Sequence, residues 1–206
     1  LGVVPTVKWK KDRYDKEWQA GDTLNSGIGQ GFVLSTPLQL AVMAARVATG
    51  KAVKPHLVVD SIKDNGTLKG TSLLFEDLGI PPEHLAIVHA GMNAVVNVPG
   101  GTAYGSRIID SRYQMAGKTG TSQVISKKYP GQDNSKMGRW EDKNHGLFVG
   151  FAPVQNPRYA CSVIVEHGGS GSGASGTTAP HSGQSFVGAS PVDSRPFRST
   201  SCSSDP

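Results

Sequence analysis

The order of regular patterns along this 206-residue chain is the feature that most limits the folds it can adopt. Two helical patterns come first. A capping box predicts the start of the first helix, with Thr36 and Gln39 as its two members and Pro37 at the first helical position. Gly50 predicts the end of this helix. A Pro-Pro-Glu start and apolar residues at helical spacing predict a second helix over residues 82–96.

Three strand-like segments follow the two helices, with no helical pattern between them. They cover residues 113–124, 145–152 and 159–167, and the last two alternate apolar residues on either side of a proline-containing turn. Residues 125–144 are polar and charged, so we expect a long loop there. Helices first and an antiparallel meander later, without β-α-β alternation, predict an α+β fold in which an antiparallel sheet packs against helices.

The remaining segments give weaker patterns. An Asp-Asn-Gly turn at residues 64–66 predicts a hairpin between residues 56–62 and 67–74. Residues 1–22 mix aromatic and charged side chains without a period, and we expect an irregular surface segment.

The composition changes abruptly near residue 167. Residues 168–206 are rich in Gly, Ser, Thr and Pro, and such a segment buries too little apolar surface to offset the entropy cost of ordering. We therefore divide the chain into a folded portion, residues 1–167, and a tail, residues 168–206, that we expect to be disordered.

Composition and charge exclude several classes of function. The net charge is +5, but Lys and Arg are scattered, so we expect no nucleic-acid partner. Cys161 and Cys202 are the two cysteines, which supports neither a disulfide framework nor a thiolate metal site, and we predict no metal or cofactor. No apolar run approaches the roughly 20 residues that span a bilayer.

The run Lys118-Thr119-Gly120-Thr121 carries the chemistry that the sequence suggests. On an edge strand, the N–H of Thr121 can stabilise an oxyanion, and Gly120 lets a substrate backbone approach and pair as another strand would. Thr119 and Thr121 place their hydroxyls on one side, where they can bind a carboxylate. Lys118 attracts that carboxylate and assists proton movement near a nucleophile. We predict Lys118 and Thr121 as catalytic residues and Thr119, Gly120 and Thr121 as substrate-binding residues.

The nucleophile that this run should serve is missing from the sequence. None of the 206 residues is a Ser followed three positions later by Lys, and there is no Ser-x-Asn triplet. Both motifs accompany Lys-Thr-Gly in serine acyl-transferases. The sequence therefore contains one part of such an active site and lacks the part that holds the nucleophile.

These motifs have other interpretations. A Lys-Thr-Gly triplet can be an ordinary turn or strand end. Read as the end of a phosphate-binding loop, it would need Gly where Arg112 stands. The glycines of residues 27–31 lack dinucleotide-loop spacing and are interpreted as structural. His145, Glu166 and His167 are isolated polar residues, and we assign them no catalytic or metal-binding role.

Six segments in this order resemble the C-terminal half of the transpeptidase domain of class B penicillin-binding proteins, in particular the elongation type. The segments are residues 19–23, 27–31, 36–41, 101–103, 116–123 and 145–153. The resemblance implies the penicillin-binding-protein and serine β-lactamase-like transpeptidase fold, incomplete on its N-terminal side. It also implies a serine D,D-transpeptidase that cross-links peptidoglycan stem peptides and is acylated by β-lactam antibiotics.

The family pattern assigns roles within the Lys-Thr-Gly-Thr run. Lys118 matches the lysine directed toward the Ser-x-Asn serine, Thr119 and Thr121 match the carboxylate-binding hydroxyls, and the Thr121 N–H matches one oxyanion donor. The nucleophile would precede residue 1. By family, the partners are a glycan-polymerising membrane protein and elongation-complex scaffold proteins, and an N-terminal anchor absent from this chain would hold the protein at the periplasmic face of the inner membrane.

The chain departs from the family pattern after its Gly-rich turn. Ala179-Pro180-His181 stands where the start of an apolar helix is expected, and we hypothesise a frameshift that another reading frame of the DNA would correct. Two alternatives to the transpeptidase are a β-lactam-sensing receptor domain of the same fold and a noncatalytic structural module. Residues 27–31 and 36–41 favour the transpeptidase over the receptor. Without its nucleophile, we expect the chain to be inactive alone.

Overall fold

The computed structural model describes residues 2–56, 60–62, 68–70, 74–124, 139–176 and 187–191. Its helices are α1 (Val7–Tyr14), α2 (Ala20–Gly27), α3 (Pro37–Thr49), α4 (Pro82–Asn97) and α5 (Gly171–Gly176). Its strands are β1 (Asp60–Ile62), β2 (Leu68–Gly70), β3 (Ala116–Ser122), β4 (His145–Ala152), β5 (Tyr159–Val165) and β6 (Val187–Pro191).

Helix α3 begins and ends where the sequence predicts. Thr36 Oγ1 accepts a hydrogen bond from the Gln39 N–H at 3.2 Å, and Gln39 Oε1 accepts one from the Thr36 N–H at 2.9 Å. The predicted capping box is therefore confirmed, and Gly50 follows the last turn. Ala44 and Ala45 are buried, which allows the helix to approach the sheet closely.

Helix α4 is also confirmed, and it ends one residue beyond its predicted end. Its side chains join it to two neighbouring elements. Asn97 Nδ2 donates to the Met115 carbonyl at 2.9 Å, just ahead of β3. His89 Nε2 lies 2.8 Å from the Val47 carbonyl of α3. Among the described helices, none combines the length and the apolar character needed to cross a membrane.

The main sheet has four antiparallel strands in the order β3-β4-β5-β6. The predicted three-stranded meander is confirmed, with Thr119 opposite Phe148 and Phe148 opposite Val163. The fourth strand, β6, pairs with β5 and was not predicted, because its sequence lacks an apolar alternation. The α+β class is confirmed as well.

Helices pack on the sheet around two buried clusters. The buried alanines of α3 belong to one cluster with Ala116, Phe151 and Ala160, whereas Val96 of α4 belongs to the other with Phe148, which is fully buried. The members of the two clusters lie on opposite faces of the sheet because side chains alternate along each strand.

The ring of Phe148 fills space that two glycines of the sheet leave open. A Cβ atom at Gly117 would collide with the ring, and a Cβ at Gly150 would lie 2.9 Å from Phe148 Cε1. Gly117 directly precedes Lys118, so this contact positions the strand that carries the predicted site.

The prediction that residues 1–22 are irregular is wrong, because α1 and part of α2 lie there. Thr6 Oγ1 accepts from the Trp9 N–H at 3.1 Å and starts α1. The buried residue of α1 is Lys10, which forms an ion pair with Asp22 at 2.5 Å. A lysine in the position of an apolar residue hides the helical period, and the partner that makes its burial favourable lies in the next helix.

Two further predictions are tested only in part. Strands β1 and β2 pair antiparallel, as the predicted hairpin requires, but the predicted turn at residues 64–66 lies outside the described residues. The same holds for residues 125–138 of the predicted loop. Helix α5 and strand β6 form regular structure within the tail that was expected to be disordered, and the division of the chain at residue 167 stays a prediction.

Candidate active site

The Lys-Thr-Gly-Thr run lies on β3, at the edge of the sheet. Two carbonyls of the strand accept side-chain hydrogen bonds on the side away from β4: Thr119 O from Lys118 Nζ at 2.7 Å, and Thr121 O from Gln30 Nε2 at 3.0 Å. In an antiparallel pair, alternate residues direct both their N–H and their C=O toward the same side. The Thr121 N–H therefore points to the open edge, where an oxyanion donor would have to be.

Lys118 is exposed, and its ammonium group lies along the same open edge. A charged donor at an open strand edge can attract an anionic group without the cost of burying the charge. Lys118 and the outward groups of Thr119 and Thr121 are thus brought together, as the sequence predicts. Their catalytic and binding roles stay predictions.

Thr119 has a neighbour that the sequence did not indicate. Its Oγ1 lies 2.7 Å from Thr102 Oγ1, so one hydroxyl donates to the other. The Ala103 N–H donates to Val95 O at 3.0 Å, which ties the segment of Thr102 to the end of α4. The sequence contains this segment as a Gly-Thr-Ala triplet, but no local pattern indicates that it lies beside β3.

Thr121 is held by the Gly-rich segment after β5. The Gly171 N–H donates to Thr121 Oγ1 at 3.3 Å. Gly171 also lies directly on the backbone of β3, since a Cβ atom there would be 2.6 Å from Gly120 N and closer still to Gly120 O. Thr119 and Thr121, predicted to act on one ligand, therefore have different hydroxyl partners in this structure.

Gln30 reaches β3 from the loop that follows α2. Gly29 (φ +72°) and Gly31 (φ +69°) adopt left-handed conformations on either side of it, and the Gln30 N–H donates to Asn25 O at 2.8 Å. The interpretation of these glycines as structural agrees with this geometry. Gln30 was not predicted, because the flanking glycines indicate a loop and no local pattern shows that the polar residue between them reaches β3.

A polar cavity of about 250 Å³ separates this loop from the end of β3. It is lined by Gly29, Gln30, Gly31, Val33, Leu34, Ser122, Gln123 and Val124. None of these side chains is charged, so the cavity suits neutral hydrogen-bonding groups.

The two histidines without an assigned role form a structural cluster. The His167 N–H donates to His145 Nδ1 at 2.9 Å, and the ring of His167 lies 4.4 Å from that of Trp140. The Gly169 N–H donates to Asn144 O at 2.8 Å. These contacts fix the turn between β5 and Gly171. In the described part of the chain, no three His, Cys, Asp or Glu side chains are grouped so that they could hold a metal ion.

Cys161, on β5, is the thiol that the structure describes. Burial raises its pKa, so the thiol is protonated at neutral pH.

Comparison with known proteins gives one consistent family. The family profile described as "Penicillin binding protein transpeptidase domain" matches residues 9–182. Peptidoglycan D,D-transpeptidase MrdA of Salmonella typhimurium is 34% identical over 174 residues, covering 82% of this chain and 27% of that protein. The Haemophilus influenzae MrdA is 36% identical over 178 residues, covering 82% and 26%. The chain thus spans about a quarter of the length of these relatives.

Solved structures agree with the sequence comparison. The Helicobacter pylori penicillin-binding protein PBP2, in its complex with MreC, has a TM-score of 0.68 and 33% identity, over 86% of this chain and 30% of that one. Pseudomonas aeruginosa PBP2, in complex with WCK 5153, has a TM-score of 0.63 and 36% identity, over 87% and 36% of the respective chains.

Proposed function

This chain belongs to the penicillin-binding protein transpeptidase family, and we propose that it is the C-terminal part of an elongation-type peptidoglycan D,D-transpeptidase. The proposal rests on the open edge of β3. There the N–H and the C=O of Thr121 point away from β4, and the Lys118 ammonium group lies along the same side. Such an edge can bind an extended peptide and stabilise charge that develops on its carbonyl.

The proposed reaction is acyl transfer in two steps. A serine hydroxyl from outside this chain attacks the carbonyl of the donor stem peptide, an ester bond forms, and the terminal D-residue leaves as an amine after it gains a proton. An amino group of a second stem peptide then attacks the ester and releases the serine. β-Lactams acylate the same serine, but their leaving group stays attached to the acyl product.

Each predicted residue has a distinct part in these steps. The Thr121 N–H donates to the oxyanion, for which the loss of one donor typically costs about 100- to 1,000-fold in rate. The hydroxyls of Thr119 and Thr121 bind the terminal carboxylate, and Gly120 leaves room for the peptide backbone. Lys118 supplies the positive charge that favours both the carboxylate and proton transfer near the serine.

The partners and the location are proposed from the relatives. The Helicobacter pylori PBP2 structure is a complex with MreC, and we propose that this protein also binds a scaffold protein of the elongation complex. A glycan-polymerising membrane protein is the second proposed partner. We place the protein at the periplasmic face of the inner membrane, held by an anchor outside this sequence.

Labelling with a fluorescent penicillin tests the proposal. The 206-residue chain alone should form no covalent adduct, because it contains no Ser-x-x-Lys motif. The longer protein read from the full gene should form one, and Lys118→Ala should slow its acylation by about 100-fold or more. An adduct on the chain alone, or none on the longer protein, would refute the proposal. Transfer of a donor peptide to an acceptor amine separates the transpeptidase from a β-lactam receptor, which acylates without transfer.

A further inference from the structure

The open edge of β3 presents backbone acceptors that an added peptide would need. If the proposed function holds, the ligand pairs with the residues whose backbone groups point away from β4, and Thr121 is one of them. The Thr121 N–H points at the carbonyl that reacts. The Thr121 C=O is then the acceptor on the same edge for an N–H of the ligand.

The Thr121 carbonyl already accepts a hydrogen bond within the molecule. Gln30 Nε2 donates to Thr121 O at 3.0 Å, across 91 residues of sequence. The side-chain amide of glutamine and the N–H of a peptide are neutral N–H donors of the same kind. Gln30 therefore makes the hydrogen bond that a ligand amide would make.

The loop around Gln30 allows its side chain to leave while its backbone stays fixed. The Gln30 N–H is bonded to Asn25 O at 2.8 Å, and the adjacent Gly31 packs against the Asn25 side chain. The polar cavity of about 250 Å³ beside Gln30 and Ser122 has room for a displaced side chain and contains polar groups that can accept its hydrogen bonds.

We propose that Gln30 is a specificity-determining residue that donates to the Thr121 carbonyl and is displaced by ligands that bring an amide N–H of their own. For such a ligand, binding exchanges one neutral hydrogen bond for another and gains little from it. A ligand without that N–H leaves Gln30 in place. Gln30 thus reduces the gain in binding that a ligand obtains from its own amide N–H.

The test compares two β-lactam probes on the longer protein read from the full gene. Benzylpenicillin carries an acylamino side chain with an N–H, whereas a carbapenem such as imipenem carries a hydroxyethyl group there. The second-order acylation constant of each probe is measured for the parent, for Gln30→Met and for Gln30→Asn, which keeps an amide but is too short to reach Thr121. Gln155→Met is the control, because Gln155 is exposed in the turn between β4 and β5.

Removing the competing donor should raise the constant for benzylpenicillin by about two- to tenfold and leave that for the carbapenem unchanged. The ratio of the two constants is the decisive quantity, since a general disturbance of the fold lowers both together. An unchanged ratio in whichever Gln30 variant folds overturns the inference while leaving the proposed function intact. Failure of both probes to acylate the parent overturns the proposed function, and this inference with it.

Discussion

Thr121 shows how a single residue of the edge strand is positioned by parts of the chain far from it in sequence. Gln30 binds its carbonyl and Gly171 binds its hydroxyl. Two residues from outside the sheet thus hold the carbonyl and the hydroxyl of Thr121 in place.

Gly171→Ala should disturb β3 directly. A Cβ at this position would overlap the Gly120 backbone, so either β3 or the start of α5 must move. We expect the longer protein with this substitution to lose at least about tenfold in penicillin acylation rate, because a shift of the Thr121 N–H, the predicted oxyanion donor, would weaken its effect steeply. Gly173→Ala is the matched control, since its nearest described neighbour would be 3.8 Å away. Equal acylation rates for the two variants would contradict the prediction.

The ion pair between Lys10 and Asp22 predicts a dependence of stability on pH. Lys10 and the Gln19 N–H, which both donate to Asp22, lower the pKa of its carboxyl below the ordinary value of about 3.9. A carboxyl whose pKa is lowered in the folded state stabilises that state above the unfolded pKa, and this contribution is lost as the pH falls through the folded pKa.

Urea unfolding of the parent and of Asp22→Asn between pH 2 and pH 6 checks this expectation. The variant should be less stable at pH 6, and the difference should shrink below about pH 4. Asp12→Asn serves as control, because Asp12 pairs with Lys8 on the exposed surface of α1. A constant difference over the whole pH range would show that the charge of Asp22 is not the cause.

At the scale of the element, α3 is the clearest example of a helix whose first and last residues are determined by neighbours in sequence. Thr36→Ala removes the side-chain acceptor of the Gln39 N–H and should lower the free energy of unfolding by about 1 kcal/mol. Ser35→Ala is a suitable control, because among the described residues the Ser35 hydroxyl makes one 3.5 Å contact, to Thr36 O, and caps no helix. Thermal or urea unfolding measures both variants, and equal losses would mean that the cap contributes nothing specific.

Elements differed in how well the sequence predicted them, for physical reasons. The ends of α3 depend on Thr36 and Gly50, which act within one turn, so they were predictable. Helix α1 depends on the burial of Lys10 against Asp22, twelve positions away in the sequence, and no local pattern reveals such a contact. The same reasoning applies to the site: the motif predicted Lys118 and Thr121, but not the distant Gln30 that binds to the strand.

At the scale of the whole molecule, the chain has the α+β transpeptidase fold that its motifs suggested. Its four-stranded sheet has β3 at one edge and β6 at the other. Strand β6 covers the edge of β5, with Ser190 opposite Ala160 and Val187 opposite Ser162.

Truncation tests what β6 contributes. A chain ending at residue 186 leaves the edge of β5 open, and an open strand edge exchanges its amides faster and promotes association. A chain ending at residue 191 keeps β6 and should behave like the parent. Hydrogen exchange of Tyr159–Val165 and size-exclusion chromatography measure the two effects. Identical protection of β5 in the two truncated chains would show that β6 does not stabilise the sheet.

The ring of Phe148 between Gly117 and Gly150 also has a consequence for how this family can vary. A Cβ would also lie 2.7 Å from a backbone oxygen at each glycine, from Val149 O at Gly117 and from Ala116 O at Gly150. A smaller residue at 148 therefore makes no room for a side chain at either position. An evolving lineage can vary the ring at 148 while both glycines, and with them the backbone of β3 next to the Lys-Thr-Gly-Thr run, stay unchanged.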